Sequence, residues 1–300
     1  MRLWMFFIMA FFLGCKNTDV SSGKLRVVTT TNIISDLVYQ IAGDAIELEH
    51  LMVSGVDPHL YKASEGDVMK LYNADIIFYN GLHLEGKMGD VFSKIEGKQK
   101  IISLGDFLPK AELIASESFG GNYDPHVWFD IQLIHQFVEK ITEELSASDP
   151  KNAEIYRKNK KTYQQELTAL DKNLQEIIAA IPPEKRILIT AHDAFSYFGK
   201  SYDFEVRGLQ GISTITEAGV QDVRNLSNFI VTHQIKAIFV ENSVPRRTIE
   251  ALQAAVRAQG HDVAIGGTLY SDSLGNPGTD EGTYIGMYRY NVETIVNALR

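Results

Sequence analysis

The sequence is poor in cysteine: there is one, Cys15, in 300 residues. An intramolecular disulfide is excluded, and so is a zinc cage built of thiolates. Positive charge is also scarce, with 29 Lys and Arg against 38 Asp and Glu and a formal net charge of −9. A nucleic-acid binder needs clustered cationic side chains to displace counterions, so that class is disfavoured. Beyond Cys15 no apolar run approaches the roughly 20 residues that span a bilayer. There is no clear internal repeat, no G-x-G-x-x-G fingerprint and no H-E-x-x-H helix. The segment GLHLEGKM at 81–88 matches a phosphate loop except at its end. There Met88 stands in place of the Ser or Thr that reaches magnesium, and nucleotide binding is set aside on that ground.

The chain opens MRLWMFFIMAFFLGC. Arg2 precedes an apolar run at 3–13, and Gly14 precedes Cys15. The run is too short for a membrane span and suits a signal-peptide core. The arrangement resembles a bacterial lipoprotein signal, which implies removal of residues 1–14 and attachment of lipid to Cys15. An ordinary secretory signal with another cleavage site is the alternative. Either way the protein leaves the cytoplasm. Residues 15–24, polar from Lys16 onward, read as a lipidated tether.

Short β-branched or apolar runs then alternate with helical patterns. Runs at 25–29, 46–53, 76–80 and 100–103 form a first set, and 186–190, 204–208, 237–241 and 262–266 a second. Helical patterns lie at 33–43, 66–73, 131–147, 220–234 and 248–259. This order predicts an α/β fold: two lobes, each a four-stranded parallel sheet flanked by helices, spanning 25–148 and 182–300. Between them, 149–181 reads as one long helix, a rigid backbone joining the lobes. Pro150 suits its first turn and Asp149 its N-cap. Tyr156, Tyr163, Leu170 and Ile177 recur at heptad spacing, as do Leu167, Leu174 and Ile181 on the adjoining face, making one apolar stripe. Pro182 and Pro183 stop it. An ordinary surface helix of one larger domain would carry the same stripe.

Among the eight histidines, three stand in distinctive surroundings. Asp57-Pro58-His59 and Asp124-Pro125-His126 are the same tripeptide twice. Proline fixes its own backbone and pushes the preceding residue out of the helical region, so each histidine is presented from a stiff corner. Each aspartate, Asp57 and Asp124, is placed to orient its neighbour's imidazole from outside a metal's ligand shell. His192 follows the strand at 186–190 and opens a helix-like run. Open α/β sheets bind ligands beyond the carboxyl ends of their strands. A fourth ligand must be an oxygen donor, and the loop YSDSLGNPGTD at 270–280 offers Asp272 and Asp280. Three imidazoles with a carboxylate suit zinc or manganese. His50, His83, His135, His233 and His261 lack such surroundings and are read as structural.

The segments DPHLY, DPHVWFD, TAHDAFSYF, FVENSVPRRTIEAL and YSDSLGNPGTDEGTYIGMYRYNVETI resemble the zinc/manganese solute-binding proteins of ABC transporters. These include the TroA, PsaA and ZnuA types, and the likeness is greatest to the TroA type. The resemblance implies two lobes on one backbone helix, with the metal in the cleft between them. It implies His59, His126, His192 and Asp272 as ligands, excludes Asp280, and gives Glu241 a supporting place beside the site. The cargo it implies is one Zn2+ or Mn2+ ion. The partner is a membrane permease, and the protein is a monomeric, non-enzymatic lipoprotein of the cell envelope. A long His/Asp-rich loop, common in dedicated zinc members, is missing from 84–124. A zinc-dependent hydrolase is the competing class, but four protein ligands leave little room for an activated water.

Overall fold

The structure, a computed structural model, describes residues 23–300; the leader, Cys15 and most of the tether lie outside the described residues. The first half is a parallel sheet of β1 (Leu25–Thr29), β2 (Ile46–His50), β3 (Ile76–Tyr79) and β4 (Lys100–Ser103), in the order β2-β1-β3-β4. Helices α1 (Asn32–Ala42), α2 (Glu65–Asn73) and α3 (Gly89–Ile95) make the crossovers. Residues alternate between the two faces of a strand. Val27, Ile76 and Phe78 enter one apolar cluster with α1, while Val28 and Ile77 enter a second with Leu71 of α2 and Ile95 of α3. Both faces are covered, as an all-parallel sheet requires.

Two long helices follow, α4 (Ile131–Ser148) and α5 (Ala153–Ile178). The expected helix at 149–181 is therefore shorter. Asp149 closes α4, and a 3₁₀ turn at Pro150–Asn152 precedes α5. Asp149 caps no backbone N–H of that turn; its Oδ2 instead accepts from Asn152 Nδ2 and from the buried Tyr156 hydroxyl, each at 2.7 Å. The stripe is present, with Tyr156, Tyr163, Leu167, Leu170 and Leu174 buried, though Ile178 rather than Ile177 completes it. Truncating such a leucine to alanine costs about 2–5 kcal/mol.

The second half holds β5 (Ile187–His192), α6 (Ser196–Tyr202), β6 (Glu205–Gln210), α7 (Val220–Thr232), β7 (Ala237–Glu241), α8 (Arg247–Ala258), β8 (Ala264–Leu269) and α9 (Tyr284–Leu299). Its strands pair as two parallel ladders, β5-β6 and β7-β8, rather than as one ladder of four. β5 and β7 still run side by side. The helix α9 has no counterpart among the expected elements. It packs with α5 and β8, placing Met287, Tyr288, Val292 and Ile295 in the cluster that already contains α1, α4 and α5. One apolar core thus runs through α5 from the first half into the second. Such continuous packing resists hinge bending more than an isolated linker would.

Candidate metal centre

All the candidate side chains sit at or beyond the carboxyl ends of strands. His59 lies on the irregular segment after β2, and His126 on the segment that leads into α4. His192 is the last residue of β5 rather than the start of a helix; α6 begins only at Ser196. Asp272 follows β8, and Glu241 ends β7. At β5 the backbone approach depends on a glycine. A Cβ at Gly208 of β6 would strike the backbone of His192 and Asp193.

The structure gathers His59, His126, His192 and Asp272 into one buried group whose ligand atoms all lie within 4.8 Å of one another. His126 Nε2 is 3.3 Å from both His59 Nε2 and His192 Nε2, and Asp272 Oδ1 is 3.4 Å from His126 Nε2 and from His192 Nε2. These four separations are short enough for the atoms to share one ion, and the other two are no longer than 4.8 Å.

The surroundings make these atoms lone-pair donors. His126 gives its Nδ1–H to Asp124 Oδ1 at 2.7 Å, and His192 gives its own to Glu241 Oε2 at 2.6 Å. Each carboxylate also accepts the backbone N–H of its histidine, at 2.9 and 2.8 Å. With Nδ1 protonated, each neutral ring turns a bare Nε2 toward the centre. Asp272 Oδ2 takes the Ser243 hydroxyl at 3.1 Å, while Oδ1 is buried with no hydrogen-bond donor. The two fixed Nε2 atoms and Asp272 Oδ1 are acceptors turned toward one point, and they repel one another unless a proton or a metal ion lies among them.

The ionisation of the group shows the same demand for positive charge. Burial pulls His126 down, but the Asp124 and Asp272 carboxylates outweigh it and lift the imidazole to about 9. Burial opposes the charge on His192 too, yet Glu241 and Asp272 hold it well above the usual histidine range. Asp272 is driven up by burial but held well below the carboxylate range by His192 and His126. His59 differs: burial takes it down to about 3, and the pull of Asp272 does not compensate.

The two DPH corners are not equivalent. Asp124 holds the ring of His126. Asp57 holds only the backbone N–H of His59, at 2.8 Å, and its other oxygen takes the Thr214 hydroxyl at 2.6 Å. Sequence reading also passed over Trp128, whose ring meets His126 edge-on at 5.3 Å and whose Nε1–H reaches Ser271 O across the halves at 2.8 Å. The partial phosphate-loop motif is closed on itself. Glu85, buried, accepts from the backbone N–H groups of Asn80 and Gly81, filling the place an anion would take. Asp280 starts a 3₁₀ turn away from the cluster. The remaining histidines lie outside the cluster. His50 faces Ser35, His233 stacks on Phe229, and His261 meets Ile235 O.

Residues 27–298 match the family described as ZnuA, zinc-uptake complex component A, periplasmic. The chain is 47% identical over 292 residues to the manganese-binding lipoprotein MntA of Bacillus subtilis, covering 96% of this chain and 94% of that one. It is 46% identical over 279 residues to the zinc-binding protein TroA of Treponema pallidum, covering 93% of this chain and 90% of that one. The solved structure of that periplasmic zinc-binding protein superposes with a TM-score of 0.90, at 46% identity, over 92% of this chain and 99% of the other. The fold, the buried cluster and these likenesses agree: the chain belongs to the ZnuA family of metal-binding solute-binding proteins.

Proposed function

We propose that this protein captures one divalent transition-metal ion, Zn2+ or Mn2+, between its two halves and delivers it to the membrane permease of an ABC importer. The observation that carries this reading is the convergence of His59, His126, His192 and Asp272 in one buried cluster whose ligand atoms lie within 4.8 Å of one another. These four are the ligands. Asp124 and Glu241 fix the rings of His126 and His192, and Asp57 fixes the backbone of His59. The metal is cargo and not a catalytic centre. With four protein ligands the ion has no open position for an attacking water, and the relatives' names give the hydrolase alternative no support.

Affinity rises generally from Mn2+ toward Zn2+, so zinc binds more tightly in vitro whichever ion is imported. The protein acts as a monomer of two lobes, 25–148 and 182–300, anchored outside the cytoplasm by lipid on Cys15. Calorimetric titration with zinc tests the site. Wild-type protein and His135→Ala bind one ion per chain with matching affinity, and His59→Ala binds far more weakly. If His59→Ala and His135→Ala titrate alike, the ligand assignment is wrong.

A further inference from the structure

The site is closed. His59, His126, His192 and Asp272 are each 0–1% exposed, so an ion cannot enter or leave while the loops stay in place. The hydrogen bonds around the three rings indicate which ligand gives way. His126 and His192 are each gripped twice by one buried carboxylate, at the backbone N–H and at Nδ1. His59 is gripped once, at its backbone, and no described residue takes a hydrogen bond from its Nδ1. His126 and His192 also flank regular elements, the first leading into α4 and the second ending β5. The segment carrying His59 has no regular structure of its own from 52 to 64.

That segment is held instead from across the cleft. Gly55 N–H donates to Ser273 Oγ at 2.9 Å, and Asp57 Oδ2 accepts from Thr214 Oγ1 at 2.6 Å. Thr214 belongs to the irregular stretch between β6 and α7, and it is buried while its neighbour Ile215 is 56% exposed. The Asp57 carboxylate therefore joins two irregular segments, one from each half. It spends one oxygen on His59 and the other on Thr214.

We infer that Thr214 is a positioning residue for cargo release. Its hydroxyl, through Asp57, clamps the His59 segment shut, and His59 is the first ligand to leave the ion. This rests on the reading of the four side chains as metal ligands. His126, His192 and Asp272 stay together as a three-ligand cradle while the clamp opens. Losing an outer partner of a metal ligand typically costs 10–100-fold in affinity. Here the loss falls on the dissociation rate, because the clamp holds the closed form.

The test is stopped-flow release of Zn2+ from the full chain into excess chelator. Thr214→Val, which keeps the side chain's shape, releases zinc about tenfold faster than wild type, and Thr214→Ser restores the slow rate. Metal-free melting temperatures show that each variant folds, with Thr214→Val somewhat lower because Asp57 Oδ2 loses its donor. Thr214→Ala serves as a second variant should Thr214→Val not fold. The deciding arm is the His59→Ala background. There Thr214→Val produces no further acceleration, because the clamp has nothing left to hold. Equal release from wild type and Thr214→Val overturns the inference, and so does an acceleration that persists in His59→Ala. If wild-type protein binds no zinc at all, the function itself is refuted instead.

Discussion

His126 and His192 face each other through their Nε2 atoms at 3.3 Å, and each ring's other nitrogen is committed to a carboxylate. In neutral rings so held, two lone pairs meet with no proton to bridge them. Asp124 lies two residues from His126, while Glu241 comes from β7 to hold the last residue of β5. The pair is thereby set from both halves of the molecule. It can be relieved in two ways, by protons or by a metal ion, and the two compete.

Stability should register that competition. A free imidazole titrates near 6.5, about the value expected in the unfolded chain. In the metal-free fold His126 is lifted to about 9. Its contribution to metal-free stability is fully present below about pH 6.5 and is lost as pH rises through its folded value. His192 shifts in the same direction. Metal-free protein should therefore melt at a lower temperature near pH 8.5 than near pH 6.5, and the gain on adding zinc should grow across that interval. Calorimetry with and without one equivalent of zinc checks this; a gain that shrinks with rising pH would speak against it.

Glu241→Gln keeps the side chain's shape but removes the charge that takes the His192 Nδ1–H. Zinc affinity should fall by about 10–100-fold. A competition titration against a chromophoric chelator measures it. No change would mean that the Glu241 carboxylate does not set the ring.

Gly208→Ala places a methyl group against the backbone of His192 and Asp193. Strain of this kind typically costs about 1–3 kcal/mol. Chemical denaturation should show the loss, and zinc should bind more weakly because His192 is the residue displaced. Unchanged stability would show that β6 yields freely at this point.

Cys15→Ser should abolish membrane attachment or leave the leader uncleaved, read by fractionation and by the mass of the mature chain. Normal processing and attachment in the variant would remove the lipid anchor from the proposal.

Much of the site could be read in the sequence because its corners are local. Proline in each DPH tripeptide, and the strand preceding His192, declare themselves within a few residues. What distinguishes Asp57 from Asp124 does not. The tripeptides are identical, and the difference arises from Thr214, 157 positions away in sequence. The helix α9 escaped for another reason. Its buried set runs Tyr284, Gly286, Met287, Tyr288, Asn291, Val292, Ile295, Val296 and Leu299. That set is too broad for a clean amphipathic stripe, and Gly286 and Asn291 interrupt it. The split of the second half into two ladders was equally invisible, since a strand's sequence does not show which edge will complete its hydrogen bonds.

X-ray absorption at the zinc edge of the stoichiometric complex tests the metal centre most directly. The four-ligand site predicts one ion per chain, with nitrogen and oxygen neighbours at about 2.0–2.1 Å and the outer-shell scattering of three imidazoles. Loss of one imidazole's signature in His59→Ala should accompany its weaker binding. A wild-type spectrum with two imidazoles or fewer, or with a shell of five or six light atoms that includes water, would contradict the closed four-ligand site.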